Sequence, residues 1–116
     1  MIAFEVSHNG KLVCIAGAND LAVLNAIVSA SGKLGSKTVP ARPDDKTGEI
    51  FYSVGGLTAR LDPTKDVHMR WKSVAPLKAG DVIQVRIVET NTPDRPTSRT
   101  KAKPRRANKR MQRTRR

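Results

Sequence analysis

A chain of 116 residues holds material for one domain, and folding at that length buries roughly 60–65% of the surface the unfolded chain exposes. Its net charge of +12 is uneven: residues 1–90 hold eleven Lys or Arg against nine Asp or Glu, while residues 91–116 hold eleven against Asp94 alone. A single cysteine, Cys14, excludes an intrachain disulfide and a multi-cysteine metal centre, and the longest apolar run, Leu12 to Ala18, falls far short of the roughly 20 residues of a membrane span.

The N-terminus enters Ile2-Ala3-Phe4-Glu5-Val6 without a basic leader, which together with the lone cysteine points to the cytoplasm. Ile2, Phe4 and Val6 alternate with polar or small residues. Asn9-Gly10 follows, a strong hairpin signal because both central residues of a type I′ turn need positive φ. A two-residue loop pairs His8 with Lys11, Val6 with Val13, Phe4 with Ile15 and Ile2 with Gly17. That register gathers Ile2, Phe4, Val6, Val13 and Ile15 on one face and leaves Glu5, Leu12 and Cys14 on the other.

Asn19 or Asp20 offers an N-cap, and Leu21, Leu24 and Val28 recur at helical spacing with Val23 and Ile27 beside them. This predicts a helix over residues 20–31, ended by Gly32 and packed on the apolar face of the hairpin. Residues 33–48 read as a loop. Strand signals resume with Ile50, Tyr52 and Val54, stop at Gly55-Gly56, and return where Val67, Met69 and Trp71 alternate with His68, Arg70 and Lys72. After a turn over Pro76 to Asp81, Ile83, Val85 and Ile87 form the inward side of a last strand that ends near Thr90.

The order is that of an α+β fold: a β-grasp-like mixed sheet (ββαβββ) with one covering helix, its first and last strands parallel at the centre. A small open sheet with a different strand order is the alternative. Residues 1–90 are the expected globular domain. Residues 91–116 are the expected disordered basic tail, too poor in apolar side chains to offset their ordering entropy.

His68, Arg70 and Trp71 form the most chemical-looking cluster. On a strand His68 and Arg70 point one way and Trp71 the other, with Met69. Two readings compete: a ligand pocket built on the imidazole and guanidinium, or a core Trp behind a solvated face. In the tail, Arg105, Arg106, Lys109, Arg110, Arg113, Arg115 and Arg116 can neutralise phosphates and release counterions. No aromatic residue lies beyond Trp71 to stack on bases, so the tail has no route to sequence readout.

The stretch Gly32-Lys33-Leu34-Gly35-Ser36-Lys37 lacks the spacing of a phosphate loop and follows the expected helix instead of preceding it. Cys14 has no evident cationic neighbour and reads as apolar filler. His8 and His68 are too few for a metal site, and no cofactor is implied.

Ala107 to Arg116 (ANKRMQRTRR) resembles the read-through translation of an integron recombination site, found at the ends of mobile gene-cassette products. Gly10 to Gly17, Ser53 to Leu57, His68 to Trp71 and Leu77 to Glu89 resemble a group of small uncharacterised bacterial proteins, a likeness over roughly residues 1–98. The resemblance implies a tail dictated by the recombinase's DNA and brings no activity or site residue with it. Three β-grasp roles are excluded directly. Modifiers and sulfur carriers need a C-terminal Gly-Gly, and no Gly follows Gly80; ferredoxins need four cysteines.

What remains is a non-enzymatic binding or interaction domain encoded on mobile DNA. Its partner is an unknown protein or a second copy, held through a sheet edge or through the face bearing Leu12, Cys14 and the neighbourhood of Trp71. Nucleic-acid binding through the tail, and a small enzyme with a pocket near His68 and Arg70, are the alternatives.

Overall fold

The computed structural model describes residues 1–32, 34–35 and 48–102. Most of the expected 33–48 loop, the phosphate-loop-like stretch at Lys33, Ser36 and Lys37, and all seven tail cations from Arg105 to Arg116 lie outside the described residues. Seven strands run in chain order: β1 Ile2–His8, β2 Lys11–Ala16, β3 Leu21–Ser31, β4 Glu49–Thr58, β5 Val67–Leu77, β6 Ile83–Glu89 and β7 Ser98–Lys101. They form two antiparallel sheets, ordered β2-β1-β6 and β3-β4-β5-β7. A short 3-10 turn at Pro63–Lys65 is the one helical element among the described residues.

The expected α+β fold is therefore wrong, and the covering helix over 20–31 is strand β3. Val23, Ile27 and Val28 are stiff at χ1 and lose rotamers in a helix, while Asn25, Ser29 and Ser31 compete for its backbone hydrogen bonds. In a strand Val23, Asn25 and Ile27 share one face, and β4 pairs with β3 from Ser31↔Glu49 to Leu21↔Thr58, with a register shift between Leu21 and Val23. β4 also runs on through Gly55-Gly56, past the stop expected there, to Thr58.

The β-grasp arrangement falls with the helix. A parallel central pair needs a long crossover connection, usually a helix. Without one, β6 returns antiparallel to β1, from Ile2↔Glu89 to His8↔Ile83.

The hairpin forms, but with a changed register. Asn9 and Gly10 take φ of 52° and 83°, and His8 faces Lys11 as the turn dictates. A bulge then shifts the pairing to Val6↔Cys14 and Phe4↔Ala16. One extra residue on β2 swaps every later side chain to the other face. Cys14 and Ala16 thus join Val6 inside, and the expected exposed face carrying Cys14 does not exist.

The core lies between the sheets: Val6, Cys14 and Ala16 from one, Tyr52, Val54, Met69 and Trp71 from the other. Each fully buried Val side chain contributes about 1.5–3 kcal/mol by leaving water.

The disordered tail beginning at residue 91 is also corrected. The Asp94 amide donates to the Ile15 carbonyl at 2.8 Å, and the Ile15 amide donates to Asp94 Oδ2 at 2.8 Å, so Asp94 closes the free edge of β2. The Thr97 amide donates to the Arg70 carbonyl at 2.7 Å, and β7 then pairs with β5. Ala102 is buried and its amide donates to the Asp66 carbonyl at 2.9 Å. Ordering here comes from main-chain hydrogen bonds on open sheet edges, which composition does not reveal. The folded unit reaches Ala102.

A second fastening joins the two turns. Asn9 Nδ2 donates to Asp81 Oδ1 at 3.0 Å, and the Val82 amide donates to Asn9 Oδ1 at 2.8 Å. No helix among the described residues is long and apolar enough to cross a membrane.

Candidate binding groove on the four-stranded sheet

The outer face of the β3-β4-β5-β7 sheet, turned away from the core, carries a shallow groove. Gly55 and Gly56 lie mid-strand on β4, where side chains would ordinarily stand. A Cβ on Gly55 would sit 2.9 Å from the Met69 carbonyl oxygen, and one on Gly56 would sit 2.7 Å from that of Val23. At Gly55, opposite Arg70 on the outer face, the missing side chain keeps the floor of the groove low, whereas Gly56, opposite Met69, is turned to the core side.

Val23, Asn25 and Ile27 of β3 wall one side, Ser53 and Leu57 of β4 flank the glycines, and His68 and Arg70 of β5 wall the other. The volume is about 270 Å³, just below the roughly 300–1,000 Å³ of sites for drug-sized ligands. It suits one side chain or one small charged group.

The cluster at 68–71 splits as strand alternation demands. His68 and Arg70 are exposed on the groove face, whereas Met69 and Trp71 point into the core at 5% and 3% exposure. Trp71 is the extra residue of a bulge between Gly55↔Arg70 and Val54↔Lys72. Its Nε1 donates to the Asp94 carbonyl at 2.8 Å, so its polar atom is satisfied inside the protein. Trp71 is a core residue and does not line this groove. The competing description, a core Trp behind a polar face, fits its position.

The Arg70 guanidinium has no carboxylate partner among the described residues, and no carboxylate lines the groove. By contrast Arg60, elsewhere on the surface, is held by Asp20 Oδ2 at 2.8 Å. Ser53 and His68 are not hydrogen-bonded to one another. What the groove offers chemically is a free planar cation, an imidazole and an amide above apolar walls. That is the equipment for holding an anionic group.

Two other polar groups lie elsewhere. Burial first, and Asp94 second, push the Cys14 thiol up to about 11, with Lys72 opposing; a buried neutral thiol is a poor nucleophile. His8 meets the Tyr52 ring edge-on at 5.6 Å, with its Nε2 buried and 3.5 Å from Asp81 Oδ2. Asp81 is held below the ordinary carboxylate range, first by the Asn9 amide and then by the Lys78 backbone amide. No group of three or more His, Cys, Asp or Glu side chains suited to a metal occurs among the described residues.

Val23, Asn25, Ile27, Ser53 and Leu57 were not singled out from the sequence. Val23 and Ile27 read as part of a helix face, and the two-residue spacing of Val23, Asn25 and Ile27 is the signal that places all three on one face of a strand. No family model matches the chain, nor does any curated protein or solved structure.

Proposed function

We propose that this chain is a non-enzymatic binding domain that holds a carboxylate of a partner protein in the outer-face groove. The observation that carries the reading is the Arg70 guanidinium, without a carboxylate partner among the described residues, beside apolar walls formed by Val23, Ile27 and Leu57. A guanidinium fork meets a carboxylate with two parallel hydrogen bonds, and the walls accept the aliphatic stem beneath it. A volume of about 270 Å³ matches one such side chain. The same reading takes the protein to be a cytoplasmic mobile-cassette product, on the resemblance of residues 107–116 to recombination-site read-through.

The test is heteronuclear NMR titration with a short peptide bearing Glu between two Val residues. Shifts should concentrate at Gly55, Gly56, His68 and Arg70. Arg70→Gln should weaken binding about tenfold or more, the worth of a charge-assisted hydrogen bond at about 1.5–3 kcal/mol. Equal binding by Arg70→Gln sinks the reading.

A second reading is nucleic-acid binding, favoured by Arg95, Arg99 and Lys101, which are exposed in the ordered segment just before the cations of residues 103–116. A chain ending at Ala102 should then lose most of the salt dependence of oligonucleotide binding. An unchanged salt slope discards it.

A further inference from the structure

The two edges of the four-stranded sheet are built differently. β7 is four residues long and carries Arg99 and Lys101, the usual means of keeping an edge from pairing with another chain. β3 is eleven residues long, Leu21–Ser31, with no charge and no proline. An uncharged, extended edge of that length is a template for a further strand.

Its side chains are exposed on both faces. Val23 and Ile27 are each 46% exposed on the groove face. Val28 is 57% exposed on the face it shares with Tyr52, its partner across the β3–β4 pair. A strand added at the edge covers both faces at once, whereas a ligand lying on one face does not.

We infer that β3 pairs antiparallel with β3 of a second copy, about a two-fold axis through Asn25, joining two sheets of four strands into one of eight. The sequence of the edge is self-complementary in that register. Residues directly opposite in an antiparallel pair share a face. Centring on Asn25 therefore sets Val23 against Ile27 of the second copy, Ile27 against its Val23, and Asn25 against its own twin. On the inner face Leu24 meets Ala26. The carboxamide has both a donor and an acceptor, so two such groups satisfy each other across the axis. Centring one residue later sets Asn25 against Ile27 and leaves the amide facing an apolar side chain. A buried amide left unmatched is costly, which is how a single Asn fixes register at an apolar seam.

Because Val23 and Ile27 also wall the groove, the grooves of the two copies meet at the axis. The pairing itself rests on the strand edge and not on what the groove holds.

The test uses the full chain in light scattering and sedimentation equilibrium over a hundredfold concentration range reaching about 1 mM. The mass should rise from that of one chain to twice that value. Ile27→Lys should hold it at one chain throughout. Register is read by cysteine pairing under mild oxidation. Facing Cα atoms lie about 4.5–5.5 Å apart, within disulfide reach, so Asn25→Cys should give a covalent dimer. Ser29→Cys, offset from its twin by eight residues in this register, should not. Native Cys14 is buried and stays out of the reaction. Should Ile27→Lys fail to fold, the cysteine pair decides alone. A single-chain mass at the highest concentration overturns the inference, as does equal crosslinking at positions 25 and 29.

Discussion

Trp71→Phe separates the two halves of the 68–71 cluster. The indole Nε1 donates to the Asp94 carbonyl at 2.8 Å, and the ring is 3% exposed among Val6, Cys14, Tyr52 and Met69. Losing that hydrogen bond costs about 0.5–1.5 kcal/mol. The smaller ring leaves a void worth roughly another 1–2 kcal/mol. The sum is about 1.5–3.5 kcal/mol. With a urea slope of roughly 2 kcal/mol per molar for a domain of this size, the unfolding midpoint should fall by about 1–2 M. Trp71 is the only tryptophan, so unfolding has to be followed by far-ultraviolet circular dichroism. Arg70→Gln, one residue away on the opposite face, should move the midpoint by less than about 0.5 kcal/mol in stability while weakening the peptide bound in the groove. A stable Trp71→Phe that no longer binds would refute this division, because it would place the indole in the site.

Truncation gives a second expectation: a chain ending at Ala102 should keep the thermal midpoint of the full chain, and one ending at Thr90 should lose cooperative unfolding, both measured by calorimetry. Asp81 sets an acid limit. Its folded pKa lies below the ordinary 3.8, so the unfolded chain takes up protons that the folded chain refuses. The stability it contributes is complete above about pH 5 and is lost as pH falls through the carboxylate range, and Asp81→Asn should flatten the urea midpoint against pH over that interval. Gly56→Ala should destabilise by about 1–3 kcal/mol in urea unfolding, since its Cβ would press on the Val23 carbonyl oxygen at 2.7 Å. Wild-type stability there would show that β3 and β4 are further apart than described.

Local chemistry was legible wherever it acts alone. The Asn9-Gly10 turn, the His8–Lys11 rung and the limits of β6 all follow from turn residues and two-residue alternation. So do the opposite faces of Arg70 and Trp71. The register beyond the first rungs was not legible, because the bulge at β2 is favoured by what Cys14 and Ala16 pack against and not by any residue in the hairpin. β3 was misread because Leu21, Leu24 and Val28 satisfy helical spacing while Val23, Asn25 and Ile27 satisfy strand spacing. A full-length partner in β4 decides between them, and it lies beyond the reach of a local window. The domain limit was set twelve residues early because charge and apolar content describe side chains. Asp94, Thr97 and β7 are held by main-chain hydrogen bonds, joined by the Asp94 carboxylate and the Trp71 indole.

The pairing of β1 with both β2 and β6 has a consequence during synthesis. β2 is available to β1 almost at once, but Val85, which faces Val6, is made about eighty residues later. At roughly 5–20 residues per second the ribosome needs about 4–16 s to deliver it. Throughout that interval one side of the nascent hairpin has its amides and carbonyls unpaired, beside the apolar Ile2, Phe4 and Val6. High expression should therefore lose material to inclusion bodies before release. Slower elongation would prolong that interval, whereas chaperones that shield nascent strands would raise the soluble yield.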